Sequence, residues 1–170
     1  MTQFVLRPGV TNPALWHPQR PPKGAWDKIR KAVLERDDYT CAGCGHRALK
    51  YMNIHHVADS QDDSPDNLIP VCVACHAVLH VGMNLELGVL EVWECDLNQV
   101  EVVQRSRALA AKGMTLKEIK DTFALRSGAH PPGSTNYAND LLRSMDTAPR
   151  GSLADPLTAI FVNFSRWQLE

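Results

Sequence analysis

No apolar run of about 18 residues, the length a helix needs to span a bilayer, occurs in this 170-residue chain. Insertion into a membrane is therefore not expected. An excess of either charge is also lacking: 18 Lys and Arg stand against 19 Asp and Glu, for a formal net charge of -1. That balance excludes a surface coated in positive charge for nucleic acid. The opening MTQFVLRPGV has no apolar stretch of the kind a secretory signal carries. A cytoplasmic, reducing location is expected, where paired cysteines serve metals more often than disulfides. No internal repeat is apparent.

What the chain does contain is a pattern of cysteine and histidine. Cys41-x2-Cys44 and Cys72-x2-Cys75 are separated by 27 residues; His55, His56 and Asn67 lie between them, and His76 and His80 follow. Each cysteine pair can chelate from one tight turn, and Gly43 and Gly45 ease the backbone of the first. Four thiolates in tetrahedral array select Zn2+ and leave no open position, so this site is read as structural. In isolated zinc peptides such a metal is worth on the order of 10 kcal/mol of folding. Cys95 is left over, and a buried structural thiol is the expectation for it.

His76-x3-His80 has the spacing of a second metal site. Residues four apart share a helix face with Cβ atoms about 5–6 Å apart. A third ligand from the preceding strand is His55 or His56. Adjacent strand residues point to opposite faces, so spacing alone leaves that choice open.

Along the chain, residues 1–24 carry Pro8, Pro13, Pro18, Pro21 and Pro22 and read as an extended arm. Residues 25–95 form the zinc-binding core: a helix from Ala25 to Arg36, strands at Tyr51–Val57 and Leu68–Val71, a helix from Cys72 to near Gly82, and a further strand within Gly88–Cys95. Residues 96–170 read as a helical extension packed on that core. Its helices are expected from Asp96 as cap to Lys112, from the capping box Thr115-x-x-Glu118 to Leu125, across Asn136–Met145, and from Asp155-Pro156 to Trp167. Residues 1–36 hold a net +5. Lys28, Arg30, Lys31 and Arg36 are thus candidates for binding phosphates or an acidic partner, with a solvated helix face as the plain alternative.

The run IHHVADSQDDSPDNLIPVCVACHAVLH, with the Cys41 knuckle ahead of it, resembles the HNH endonucleases of the ββα-metal fold, in the subtype clamped by a four-cysteine zinc. The resemblance covers about a quarter of the chain. It implies an α+β protein with a small zinc-stapled ββα core and additional helices. It also implies roles: His55 as the first-strand metal ligand, His56 as general base, Asn67 as the residue holding the base's loop, and His76 and His80 as helix metal ligands. The implied chemistry is hydrolysis of a DNA phosphodiester. An all-imidazole set suits Ni2+, Zn2+, Co2+ or Mn2+ better than the oxygen-preferring Mg2+, which can serve when water and substrate complete its shell.

Residues 81–112 exceed a minimal nuclease module. The order of CH-x3-H helix, glycine, G-x-L-x-x-W strand and D-x-x-Q helix also looks like the IcmJ (DotN) proteins of type IVB secretion systems. That resemblance implies an adaptor without cleavage activity, docked on a partner protein of a secretion coupling complex. A further reading concerns ALAAKGMTLKEIKDTFALRS, which has the layout of a helix-turn-helix and equally of any αα-hairpin.

Overall fold

The computed structural model describes residues 4–9, 21–58, 62–126, 157–165 and 169. Helix α1 (Lys23–Arg36) buries Val33 and Leu34. It packs across a hairpin of β1 (Met52–His56) and β2 (Leu68–Cys72), antiparallel, with Met52 opposite Cys72 and His56 opposite Leu68. Alternation along these short strands sends Met52, Ile54, Leu68 and Cys72 into the core from one face, and Val71, on the opposite face, is buried as well. Two arginines fasten α1 to the hairpin through its backbone. Arg30 Nη2 donates to the Met52 carbonyl at 2.8 Å, while Arg36 donates to the Pro65 and Leu68 carbonyls at 2.7 and 2.8 Å.

Helix α2 (Val73–Leu79) follows β2 directly, with Cys72 as its N-cap: the sulfur accepts the Cys75 N–H at 3.5 Å. The single helix expected to run to Gly82 instead breaks at His80, whose φ of -117° and ψ of 47° leave the helical region, and α3 (Val81–Glu86) restarts beyond it. The apolar pattern continues through the break, which is why the sequence does not reveal it. What holds it is buried Asn84, whose Nδ2 donates to the Ala77 and His80 carbonyls at 3.1 and 2.9 Å. These carbonyls belong to the orphan acceptors of a helix end. The arm spans the same break: Gly9 N donates to Val78 O and Val81 N donates to Gly9 O, while Leu6 lies in the core.

A second two-stranded sheet joins β3 (Leu90–Glu94) to β4 (Leu157–Phe161), antiparallel, with Val92 opposite Ala159. Here the structure corrects the reading of Asp155-Pro156 as the start of a helix. Residues 157–161 form a strand whose Thr158, Ala159, Ile160 and Phe161 are all buried. Burial against β3 outweighs the local cap signal. Helix α4 (Gln99–Ala111) lies over this sheet. Its cap is Asn98, in a complete capping box with Glu101, rather than Asp96, which pairs with Arg126 at 2.8 Å. Helix α5 (Leu116–Asp121) has the expected Thr115–Glu118 capping box but stops short of Leu125. Helix α5 buries Ile119, and its two lysines are engaged, Lys117 with Asp121 and Lys120 with Glu91. The helix expected at Asn136–Met145 lies outside the described residues. The protein is α+β, with two small antiparallel sheets and a cysteine cluster. Among the described residues, no helix is long and apolar enough to cross a membrane.

Candidate metal centres

Cys41, Cys44, Cys72 and Cys75 are all buried, and their sulfurs lie within 4.8 Å of one another. The first pair sits on a tight turn in which Gly45 takes a φ of +76°, a left-handed value that favours glycine. Gly43 is needed for space instead: a Cβ there would stand 3.0 Å from Cys75 Sγ. The second pair is placed by β2 running straight into α2. Cys44 and Cys72 sulfurs are 3.7 Å apart. A tetrahedral ion with Zn–S bonds of about 2.3 Å requires an edge of about 3.8 Å, so the donor set fits zinc.

The electrostatics of the cage point the same way. S–H groups of Cys44, Cys72 and Cys75 can all bond the Cys41 sulfur, which holds that thiol's pKa far below its ordinary value. Cys44 and Cys75 are pushed up, chiefly by Cys41, whereas Cys72, raised by Cys41, is lowered on balance by Cys44 and Cys75, so two of the four thiols resist ionising beside the others. A divalent cation removes this conflict, because it binds thiolates and offsets their mutual repulsion. Outside the cage, Arg107 Nη2 reaches Cys72 Sγ at 3.3 Å and Gln104 Nε2 donates to the Cys44 carbonyl at 2.9 Å. Both come from α4, so the extension grips the cage.

The second group is His55, His76 and His80, with ring nitrogens also within 4.8 Å. Ring centroids are 4.4 Å apart for His76 and His80, 5.4 Å for His55 and His80, and 6.0 Å for His55 and His76. The geometry resolves the choice that spacing left open: His55, not His56, joins the helix pair. His55 is 8% exposed. Burial, followed by the charges of His80 and His56, pushes its pKa down to about 3, so it stands as a neutral imidazole with a free lone pair. Three imidazoles gathered in this way form a donor set suited to a borderline divalent cation.

His56 points elsewhere. Its Nε2 lies 2.8 Å from Asp63 Oδ1, and its ring runs nearly parallel to that of Trp26, with centroids 6.2 Å apart at 16°. Asn67, 9% exposed, fastens the loop beside it. Its Oδ1 accepts from Ala58 N at 2.7 Å and its Nδ2 donates to Asp62 O at 2.8 Å, while Val57 N donates to the Asn67 carbonyl. Asp63 was not singled out by the sequence, where it reads as one acid of a polar loop. Asn84 and Arg107 also escape that reading, and no motif marks them.

Of the four candidate cations Lys28, Arg30, Lys31 and Arg36, the two arginines are partly engaged by backbone carbonyls, as described above. Lys28 is exposed, and Lys31 pairs with Glu35 at 3.6 Å on the open face. Cys95 is buried, as expected.

No family model matches the chain. Among curated proteins it is similar to the probable HNH endonuclease of Lactococcus phage SK1, with 33% identity over 63 residues that cover 32% of this chain and 67% of the phage protein.

Proposed function

The chain belongs to the HNH endonuclease family, and from that premise we propose that it is a metal-dependent nuclease hydrolysing DNA phosphodiester bonds. The observation that carries the reading is the division of labour between two adjacent histidines. His55 turns into a cluster with His76 and His80, while His56 turns away from it and meets a carboxylate.

In this reading His55, His76 and His80 hold the second cation, for which Mn2+, Ni2+, Zn2+ and Mg2+ are the candidates. Once bound, the ion supplies Lewis-acid stabilisation of charge on a phosphodiester oxygen. His56 accepts the proton of an attacking water, the task an imidazole performs near neutral pH. Asn67 keeps the loop after β1 in register, so the base stays fixed relative to the ligand on its other side. The four-cysteine zinc holds α2 against the hairpin and thereby sets the distance between strand and helix ligands. Residues 25–95 carry the chemistry, residues 4–9 brace the break at His80, and the extension after residue 95 supports the cage through Gln104 and Arg107. Lys28 and Lys31, on the open face of α1, are the side chains best placed for the DNA backbone.

The test is plasmid nicking with Mg2+, Mn2+ and Ni2+, wild type beside His56→Ala. Conversion of supercoiled plasmid by the wild type, reduced about 100-fold or more in the variant, is the expected result. Uncut plasmid under every metal, or equal cutting by both proteins, overturns it. The adaptor reading of residues 81–112 gains no observation of its own from the structure.

A further inference from the structure

A general base needs one nitrogen free to take a proton, and imidazole offers two that exchange roles with the tautomer. Nothing in the motif decides between them at His56. The structure supplies the missing group. Asp63 Oδ1 sits 2.8 Å from Nε2, and both side chains are largely withdrawn from solvent, 19% exposed for His56 and 26% for Asp63. A carboxylate only accepts, so the hydrogen of this bond belongs to Nε2. The lone pair is then on Nδ1.

Asp63 is itself held. Next to it, the Asp62 carbonyl accepts from Asn67 Nδ2 at 2.8 Å, and the Asp62 side chain accepts from Ser64 N and Oγ, both at 2.9 Å. Two residues on, the Pro65 carbonyl is bonded by Arg36. On the ring's other side, Trp26 limits the tilt of the imidazole. The carboxylate is therefore fixed at both flanks, and the ring it addresses is fixed by a neighbouring aromatic.

We propose that Asp63 is the positioning residue of the nuclease base, holding the proton on His56 Nε2 and presenting Nδ1 as the nitrogen that receives a proton. This deepens the nuclease reading and rests on it. A proton leaves water for Nδ1 as the water oxygen's electron pair attacks phosphorus and the bond to the leaving oxygen breaks. His56 then carries hydrogen on both nitrogens, and its positive charge faces the Asp63 carboxylate. The role of Asn67 becomes concrete: it acts on the base through the segment that bears Asp63.

Two measurements on the full chain test this. The first is low-temperature proton–nitrogen NMR of the zinc-loaded protein, which reads the hydrogen on His56 Nε2 without turnover. A downfield ring N–H resonance, assigned by its absence in His56→Gln, is expected in the wild type and should vanish in Asp63→Ala. The second is plasmid nicking with kcat and KM separated. Asp63→Ala should lower kcat about 10- to 100-fold, a part of the roughly 100- to 10,000-fold that a general base supplies in full, with KM changed less than about twofold. Asp63→Asn retains an acceptor and should fall between the two. Unchanged zinc content and melting temperature in Asp63→Asn set aside a folding defect. A wild-type resonance that is missing, or that survives Asp63→Ala, overturns the proposal, as does wild-type kcat in both variants. A wild type that shows the resonance yet never cuts overturns the nuclease reading instead and takes the catalytic role with it, an outcome distinct from the others.

Discussion

Arg107 Nη2 lies 3.3 Å from Cys72 Sγ, placing a guanidinium from α4 against one corner of the sulfur cage. The same side chain donates through Nη1 to the Leu169 carbonyl, and its Nε is buried without a hydrogen-bond partner among the described residues. A zinc ion with four thiolates carries a net negative charge, so a cation at its edge lowers the cost of burying it. Arg107→Ala is expected to speed zinc loss to a chelator by about tenfold, equivalent to roughly 1.4 kcal/mol, the low end for a charge-assisted hydrogen bond. Arg107→Lys should restore little, because a single ammonium cannot meet both the sulfur and the carbonyl. A chromogenic zinc assay reads the rate directly; equal rates for all three proteins would show the contact to be incidental.

The two ligand sets differ in what they hold. The sulfur cage gathers the Cys41 turn against the junction of β2 and α2, and its four cysteines are free thiols rather than disulfides. Cys44→Ser with Cys72→Ser should remove zinc and with it on the order of 10 kcal/mol of folding free energy, leaving a chain without cooperative unfolding. His80→Ala removes one imidazole of the second cluster but leaves its backbone bonds to His76 and Asn84 in place. It is expected to keep the zinc and a sharp melt while losing plasmid nicking. Circular dichroism melts with zinc stoichiometry separate these outcomes. A His80→Ala protein that unfolds like the cysteine variant would make that imidazole a folding ligand.

Legibility in the sequence followed the range of the forces involved. The cysteine pairs and His76-x3-His80 are local geometries, fixed by a turn and by one helical turn, so spacing alone discloses them. Spacing alone did not choose between His55 and His56; the resemblance implied His55, and the hairpin register with the seating of α2 sets its ring beside His76 and His80. The break at His80 was hidden because Val78, Leu79 and Val81 continue an apolar pattern while Asn84 supplies the bonds that end the helix. At Asp155-Pro156 a genuine local signal lost to burial of Leu157–Phe161 beside β3. Asp96 looked like a cap, yet it is paired with Arg126, and Asn98 takes the position. Asp63 acts across a loop, seven residues from the ring it meets, at a separation no motif encodes.

His55 should make stability depend on pH. Its pKa is pushed down to about 3 by burial and by the neighbouring His80 and His56 charges, against about 6.5 for an unfolded histidine. Between those values the unfolded chain binds a proton that the folded protein refuses, so stability rises with pH. The contribution is complete above the unfolded value and is lost as pH falls below it toward the folded one. From about pH 7 to about pH 5.5 the loss amounts to roughly 1 kcal/mol. Denaturant midpoints across that window, kept mild enough to retain zinc, should fall in the wild type and stay flatter in His55→Leu. Parallel slopes would mean that His55 takes up its proton in the folded state as readily as in the unfolded chain.

Gln99 and Ala159, sixty residues apart, exchange two hydrogen bonds in the manner of neighbouring strands: Nε2 donates to the Ala159 carbonyl at 3.0 Å and Ala159 N donates to Oε1 at 2.8 Å. With β3 bonded to one edge of β4, this carboxamide satisfies the other edge at its centre, and it does so at 5% exposure. A buried backbone donor and acceptor left without partners cost about 1–3 kcal/mol each. Gln99→Ala is therefore expected to destabilise by about 2–4 kcal/mol, read from the urea midpoint. Gln99→Glu should be at least as harmful, since both carboxylate oxygens are acceptors and one would face the Ala159 carbonyl. Hydrogen exchange locates the damage: protection of the Ala159 amide should collapse in Gln99→Ala while amides of β1 and β2, closed by the sulfur cage, keep theirs. Loss of protection in both sheets together would show that the extension and the cage unfold as one unit, and that bracing by α4 reaches the candidate catalytic histidines.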